Sequence, residues 1–122
     1  LASDKETHTG WLGARADPRL MRVMEAIHGE PARRWTLAEL ARLAGMSRTV
    51  FAGRFRDVVG QTPLDYLAGW RMQLAADRLQ HTADSVANIG FSVGYESEAA
   101  FNTAFRRMVG CTPMQHRRLV AT

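Results

Sequence analysis

The chain has 122 residues, 46% of them hydrophobic, and carries 16 basic against 12 acidic side chains for a net charge of +4. That length holds one domain, or one domain with a tail, around one small core. A single cysteine, Cys111, excludes an internal disulfide and predicts a reducing compartment. No stretch is long and apolar enough to span a bilayer, and no signal peptide is visible.

Residues 1–17 show no period and read as a linker, helical in part near Trp11. The chain opens on Leu1 rather than Met. It is therefore expected to be part of a longer protein with a further domain before it. The basic surplus lies after this segment, where 14 basic residues face 9 acidic ones. All but one of the basic residues are arginine, which suits bidentate contact with phosphate and guanine. A surplus of this size is also ordinary for a solvated helical protein.

The abundance of Leu, Ala, Met and Arg, with only four prolines, predicts an all-α chain. Asp17 and Pro18 make a preferred cap and first position. They open a helix with its apolar stripe at Leu20, Met21, Val23, Met24 and Ile27. Thr36 and Glu39 form a capping box, with Trp35 and Leu40 placed as a hydrophobic staple. The second helix turns Leu37, Leu40, Ala41 and Ala44 inward and ends at Gly45. Ser47 caps a third helix over about residues 48–59, with Val50, Phe51, Phe55 and Val58 as its buried stripe, and Gly60 stops it.

Thr62 and Pro63 start a fourth helix reaching about residue 81, roughly 27 Å long at 1.5 Å per residue. Tyr66, Leu67, Trp70, Leu74 and Leu79 supply its apolar contacts. Ser85 opens the fifth helix, with Val86, Ile89 and Val93 inward and Gly94 as the turn. Ser97 opens the sixth, with Phe101, Phe105 and Met108 inward, and Gly110 ends it. Thr112 and Gln115 form a second capping box, starting a short seventh helix that ends near Arg118.

These elements repeat. Residues 36–63 read TLAELARLAGMSRTVFAGRFRDVVGQTP, and residues 85–113 read SVANIGFSVGYESEAAFNTAFRRMVGCTP. Phe51 pairs with Phe101, Phe55 with Phe105, Gly60 with Gly110 and Pro63 with Pro113. Each copy is a short helix, a glycine turn and a second helix. Two helix-turn-helix units are expected, over 36–60 and 85–110, joined by a linker helix over 63–81.

Residues 90–117, GFSVGYESEAAFNTAFRRMVGCTPMQHR, resemble the signature of AraC/XylS-family transcription regulators. The first repeat is similar to the opening helix-turn-helix of the same domain, so the resemblance covers residues 18–118. It implies a DNA-binding domain of seven helices in two helix-turn-helix subdomains over 18–122. It also implies a missing N-terminal domain that holds an effector ligand and a dimer partner. The implied function is sequence-specific binding of double-stranded DNA in transcription regulation, with RNA polymerase as a partner. That work belongs to the bacterial cytoplasm, at the nucleoid.

The faces of the repeat agree with that reading. Opposite the phenylalanines, the third helix offers Thr49, Ala52, Gly53 and Arg56, with Arg48 at its N-terminal end. The sixth offers Ala99, Asn102, Thr103 and Arg106, with Glu98 at its start. Small and polar side chains let a helix enter a major groove, where all four base pairs are distinguishable. Asn102 suits adenine; Glu98 suits a cytosine amino group or its own helix N-terminus. Phosphate contacts are expected from Thr36, Arg54, Ser85, Arg107, Thr112 and Arg117. Family members often carry arginine where Gly53 and Thr103 stand, and usually an aromatic where His116 stands. Two recognition helices on a rigid connector suit successive major grooves of a bent duplex.

No enzymatic chemistry is indicated. His8, His28, His81 and His116 are scattered, and neither a metal nor an organic cofactor is expected. Cys111 reads as a small loop residue. Trp35, Trp70, Phe91 and Tyr95 read as structural, and Arg71 and Arg78 equally well as surface charge or phosphate contacts. Two other readings remain at this stage: a helical module that binds protein, and the DNA-targeting part of a repair protein.

Overall fold

The computed structural model describes residues 17–121. The linker over the preceding residues, and the helix expected near Trp11, lie outside the described residues. Among those described there are seven helices and no strand. They are α1 (Pro18–Gly29), α2 (Leu37–Ala44), α3 (Arg48–Val59), α4 (Pro63–His81), α5 (Val86–Ser92), α6 (Glu98–Val109) and α7 (Pro113–Ala121). Only the end of α7 departs from expectation. No breaker follows Arg118, so the helix runs on to Ala121.

Each start is held by a side-chain oxygen. Asp17 accepts from the Arg19 amide at 3.0 Å, with Pro18 in the first turn, where no amide is missed. Thr36 and Glu39 make both bonds of the capping box. Ser47, Thr62, Ser85 and Ser97 cap α3, α4, α5 and α6. Thr112 and Gln115 repeat the reciprocal pair at α7. Such caps are worth about 1 kcal/mol each.

The described residues divide into two compact units, one of 17–30 and Trp35–Leu67, the other of Pro31–Arg34 and residues 68–121. In the first unit, α1 packs on α2 and α2 on α3. Leu20, Val23, Met24, Ile27, Leu40, Ala44, Phe51 and Phe55 are fully buried there. Phe51 and Phe55 lie 5.7 Å apart with their rings tilted, and Phe55 meets Tyr66 edge-on at 6.0 Å. The Tyr66 hydroxyl lies 2.6 Å from His28 Nε2. Burial pushes Tyr66 up to about 12 and pulls His28 below its ordinary 6.5. The two side chains share one hydrogen bond, its direction set by the imidazole tautomer.

The second unit repeats this plan. Met72, Ala75, Leu79, Val86, Ile89, Val93, Phe101 and Phe105 form its core, with Tyr95 and Cys111 packed against it. Phe101 and Phe105 are again 5.7 Å apart. His116 sets its ring edge-on to Phe105 at 5.5 Å.

Two expected core positions are not core. Val50 is 58% exposed, because it precedes Phe51 and points well away from the direction shared by Phe51 and Phe55. Met108 is 41% exposed, near the end of α6 and beyond the last phenylalanine. Of the aromatics read as structural, Trp35 is buried and Phe91 is 50% exposed on α5.

Two glycines of the second unit are required where they stand. A Cβ on Gly90 would meet the Phe101 side chain at 2.8 Å, so α5 and α6 approach only because that carbon is missing. Gly94 makes the turn at φ +103, with the Ala32 carbonyl oxygen 2.9 Å from where a Cβ would be. Gly53, by contrast, has open space around it.

Arginines carry an unexpected share of the fold. Arg54 on α3 pairs with the buried Asp17 at 2.5 Å, so the residue that caps α1 also holds the third helix. The Arg54 guanidinium holds the Asp17 carboxyl below its ordinary 3.8. Burial opposes this, and the Arg19 and Leu20 amides reinforce it. In the second unit, Arg71 donates to the Pro31 and Arg33 carbonyls at 2.7 and 2.8 Å and lies over the Tyr95 ring. Arg117 donates to the carbonyls of Leu79, Thr82 and Asp84. Those groups are left over at the end of α4 and just after it. Arg78 bonds Ser92.

Gly90→Ala is expected to lower stability by about 1–3 kcal/mol through overpacking. Gly53→Ala should raise it by about 0.5–1 kcal/mol through helix propensity. Thermal melting by circular dichroism reads both; a Gly90→Ala protein that melts no lower than the parent would show that the helices have room. Stability should also fall with acid in two stages. The unfolded chain takes up the His28 proton that the folded state resists, so the first loss begins near pH 6.5. The Asp17 contribution is full above 3.8 and lost as pH drops through its lowered value. Asp17→Asn should flatten the second stage and cost about 1–3 kcal/mol at neutral pH. Melting temperature recorded against pH checks this, and a flat profile between pH 7 and 4 would refute the His28 account.

Candidate nucleic-acid interface

The outward faces of α3 and α6 follow from their inward ones. With Phe51 and Phe55 buried, the far side of α3 carries Thr49, Gly53 and Arg56, all exposed. Ala52 is half-buried on the flank, and Arg48 is exposed at the N-terminal end. Phe101 and Phe105 set α6 in the same way. Glu98, Ala99, Thr103 and Arg106 are exposed there, and Asn102 is half-buried. The ten residues expected to face bases therefore lie on the two helix faces turned from the cores, five on each. Val50 and Asp57 join the α3 face, and Ala100 and Arg107 join that of α6.

The two faces differ in charge. On α3, the acidic Asp57 follows Arg56, Arg48 stands at the other end of the helix, and Gly53 offers no side chain. On α6, Arg106 and Arg107 are adjacent, with Glu98 a few turns away in the first turn of the helix. Glu98 suits that place, where backbone amides carry partial positive charge. Arg48, Arg56 and Arg106 are exposed, and none has an ion-pair partner among the described residues.

The expected phosphate contacts fare unevenly. Arg107 is exposed. The Thr36 amide donates to Glu39 Oε1 at 3.3 Å and the Thr112 amide to Gln115 Oε1 at 2.9 Å, so each capping box fills its own cap amide. The Ser85 hydroxyl accepts from Asn88. Arg54 donates through Nε to Asp17, and Arg117 donates through Nε and Nη2 to three carbonyls, as described above. Arg71 and Arg78, read as surface charge or phosphate donors, also bond inward.

Sequence reasoning missed Arg71 as the residue that secures the α5–α6 turn. Its guanidinium ties the Pro31–Arg34 segment beside Gly94 and covers Tyr95, whose ring lies 5.7 Å from Phe101. These bonds cross about 40 positions of chain, and no local pattern announces them. Among the described residues no group of three or more His, Cys, Asp or Glu side chains converges as a metal site would. None of their helices is long and apolar enough to cross a membrane.

A family described as a helix-turn-helix domain matches residues 40–119. A putative AraC-like transcription regulator of Streptomyces lividans is 44% identical over 110 residues, which is 90% of this chain and 36% of that protein. The RCS-specific HTH-type transcriptional activator RclR of Escherichia coli K12 is 45% identical over 103 residues, 84% of this chain and 36% of that protein. The chain thus spans about a third of the length of these curated relatives. An AraC-type regulator from Chromobacterium violaceum has the same fold at a TM-score of 0.80 and 25% identity, covering 89% of this chain and 97% of that one. The DNA-binding domain of AdpA, solved in complex with a target DNA, aligns at a TM-score of 0.72 and 29% identity over 80% of this chain and 91% of its own. With two helix-turn-helix units on seven helices and the family match running through both, the chain belongs to the AraC/XylS family.

Proposed function

We propose that this chain binds double-stranded DNA sequence-specifically to regulate transcription, with α3 and α6 entering successive major grooves. The observation that carries the reading is the repeated face. Each unit buries a phenylalanine pair and leaves the opposite side of the same helix small, polar and exposed. A major groove admits one helix, and a helix-turn-helix puts the N-terminal residues of its second helix on base edges. The AdpA domain in complex with a target DNA and the activator RclR support the same reading for this chain.

The roles follow from chemistry. Asn102 hydrogen-bonds adenine; Arg48, Arg56 and Arg106 reach guanine or a phosphate according to register. Thr49, Ala52, Gly53, Ala99 and Thr103 allow close approach. Glu98 stays with the start of its own helix. Arg107 meets phosphate, and the hydroxyl-capped starts of α2, α5 and α7 at Thr36, Ser85 and Thr112 lie against the backbone. Arg54 and Arg117 act by holding the helices that bear these groups. In the whole protein, a preceding domain supplies the effector and dimer contacts. RNA polymerase is the partner at the promoter, in the cytoplasm at the nucleoid.

Selection of the chain against a random duplex library at about 0.15 M salt should enrich a bipartite motif with half-sites about one helical turn apart. Asn102→Ala should relax one adenine at a cost of about 1–3 kcal/mol. Arg107→Ala should weaken all sequences alike and flatten the salt dependence by about one unit of slope. Failure to enrich any motif would overturn sequence-specific binding, leaving only attraction to phosphate.

A further inference from the structure

Val50 is the one large apolar side chain on the outward face of α3. It rests at the third position of the helix, where its amide donates to the Ser47 hydroxyl at 3.3 Å, and it is 58% exposed. A β-branched side chain in a helix keeps one rotamer, so its two methyls are held in a fixed direction. Gly53, one turn on, presents bare backbone with nothing within 4 Å of where its Cβ would be. Arg54, four residues on, turns its Nε to Asp17. The methyls of Val50 thus stand beside a bare stretch of helix.

We propose that Val50 is a specificity-determining residue that packs on the 5-methyl group of a thymine in the half-site read by the first unit. The inference rests on the DNA-binding reading above. The donors and acceptors on the major-groove edge each make a hydrogen bond; the thymine methyl is the one apolar group that projects from it. A valine pressed on any of the others strips water from a polar edge without replacing its hydrogen bond, which is unfavourable. On a thymine it buries methyl against methyl. The corresponding residue of α6 is Ala100, also exposed but with a single methyl carbon. The methyl readout is therefore stronger in the first half-site than in the second.

The test uses the 122-residue chain and the duplex enriched by the selection described above. Each thymine in turn is replaced by deoxyuridine, which removes the methyl and leaves the pairing and the O4 acceptor. Affinity is read by fluorescence anisotropy for the parent and for Val50→Ala, whose exposed site leaves the melting temperature at or above that of the parent. One deoxyuridine should weaken the parent by roughly threefold to tenfold, the scale of one or two buried methyl groups. The same replacement should leave Val50→Ala within twofold. That position should lie in the half-site that Asn102→Ala does not relax. If every deoxyuridine affects parent and variant alike, Val50 reads no methyl and the inference fails while the DNA-binding reading stands. If the coupled thymine lies in the half-site relaxed by Asn102→Ala, the assignment to the first unit is wrong. If no duplex is enriched, both readings fall together.

Discussion

A helix presented to a groove is useful only at one rotation about its axis, and here that rotation is set by two phenylalanines one turn apart. Phe51 with Phe55, and Phe101 with Phe105, are fully buried, each pair at a ring spacing of 5.7 Å. Burying such a ring is worth about 1.5–3 kcal/mol, so rolling α3 or α6 by a third of a turn would forfeit most of that for both rings. The outward residues make no comparable claim. Their placement is a consequence of the core, and the chemistry on the far side can vary while the orientation stays fixed.

The second determinant is where the arginines spend their donors. A count of basic residues suggests a broadly cationic surface. Two sets stand apart among them. Arg54, Arg71, Arg78 and Arg117 bond inward to a carboxylate, to carbonyls and to a hydroxyl. Arg48, Arg56, Arg106 and Arg107 remain exposed on the helix faces. The planar guanidinium serves both purposes because it can satisfy several carbonyls at once, as Arg117 does, or grip a phosphate or guanine edge. Charge alone is a poor guide to which arginines belong to a site.

Much of the fold was legible in the sequence because its determinants are local. Caps at Asp17, Thr36, Ser47, Ser85, Ser97 and Thr112, and stops at Gly45, Gly60 and Gly110, lie within four residues of the turns they govern. The phenylalanine repeat then gave the faces of α3 and α6 directly. Val50 was misread because it adjoins Phe51 in sequence, whereas successive residues on a helix diverge by about 100°. Met108 was misread because periodicity ignores where a core ends. The partners of Arg54, Arg71 and Arg117 lie 33 to 40 positions away, beyond the reach of any pattern argument. The exposed faces were foreseen, but which bases they meet depends on a surface that the chain itself does not contain.

The contact between Gly90 and Phe101 has an evolutionary side. Residue 90 lacks a side chain because the Cβ and ring of Phe101 lie within 2.9 Å of where its own Cβ would stand, and the ring is in turn what orients α6. Neither position can drift alone. A smaller residue at 101 loosens the helix whose outer face must stay in register, and it keeps the Cβ that bars a side chain at 90. A change at 101 is therefore not expected to rescue a substitution at 90. The outer positions of α6 carry no such obligation, so new binding preferences can arise there one substitution at a time while the pair beneath them is frozen.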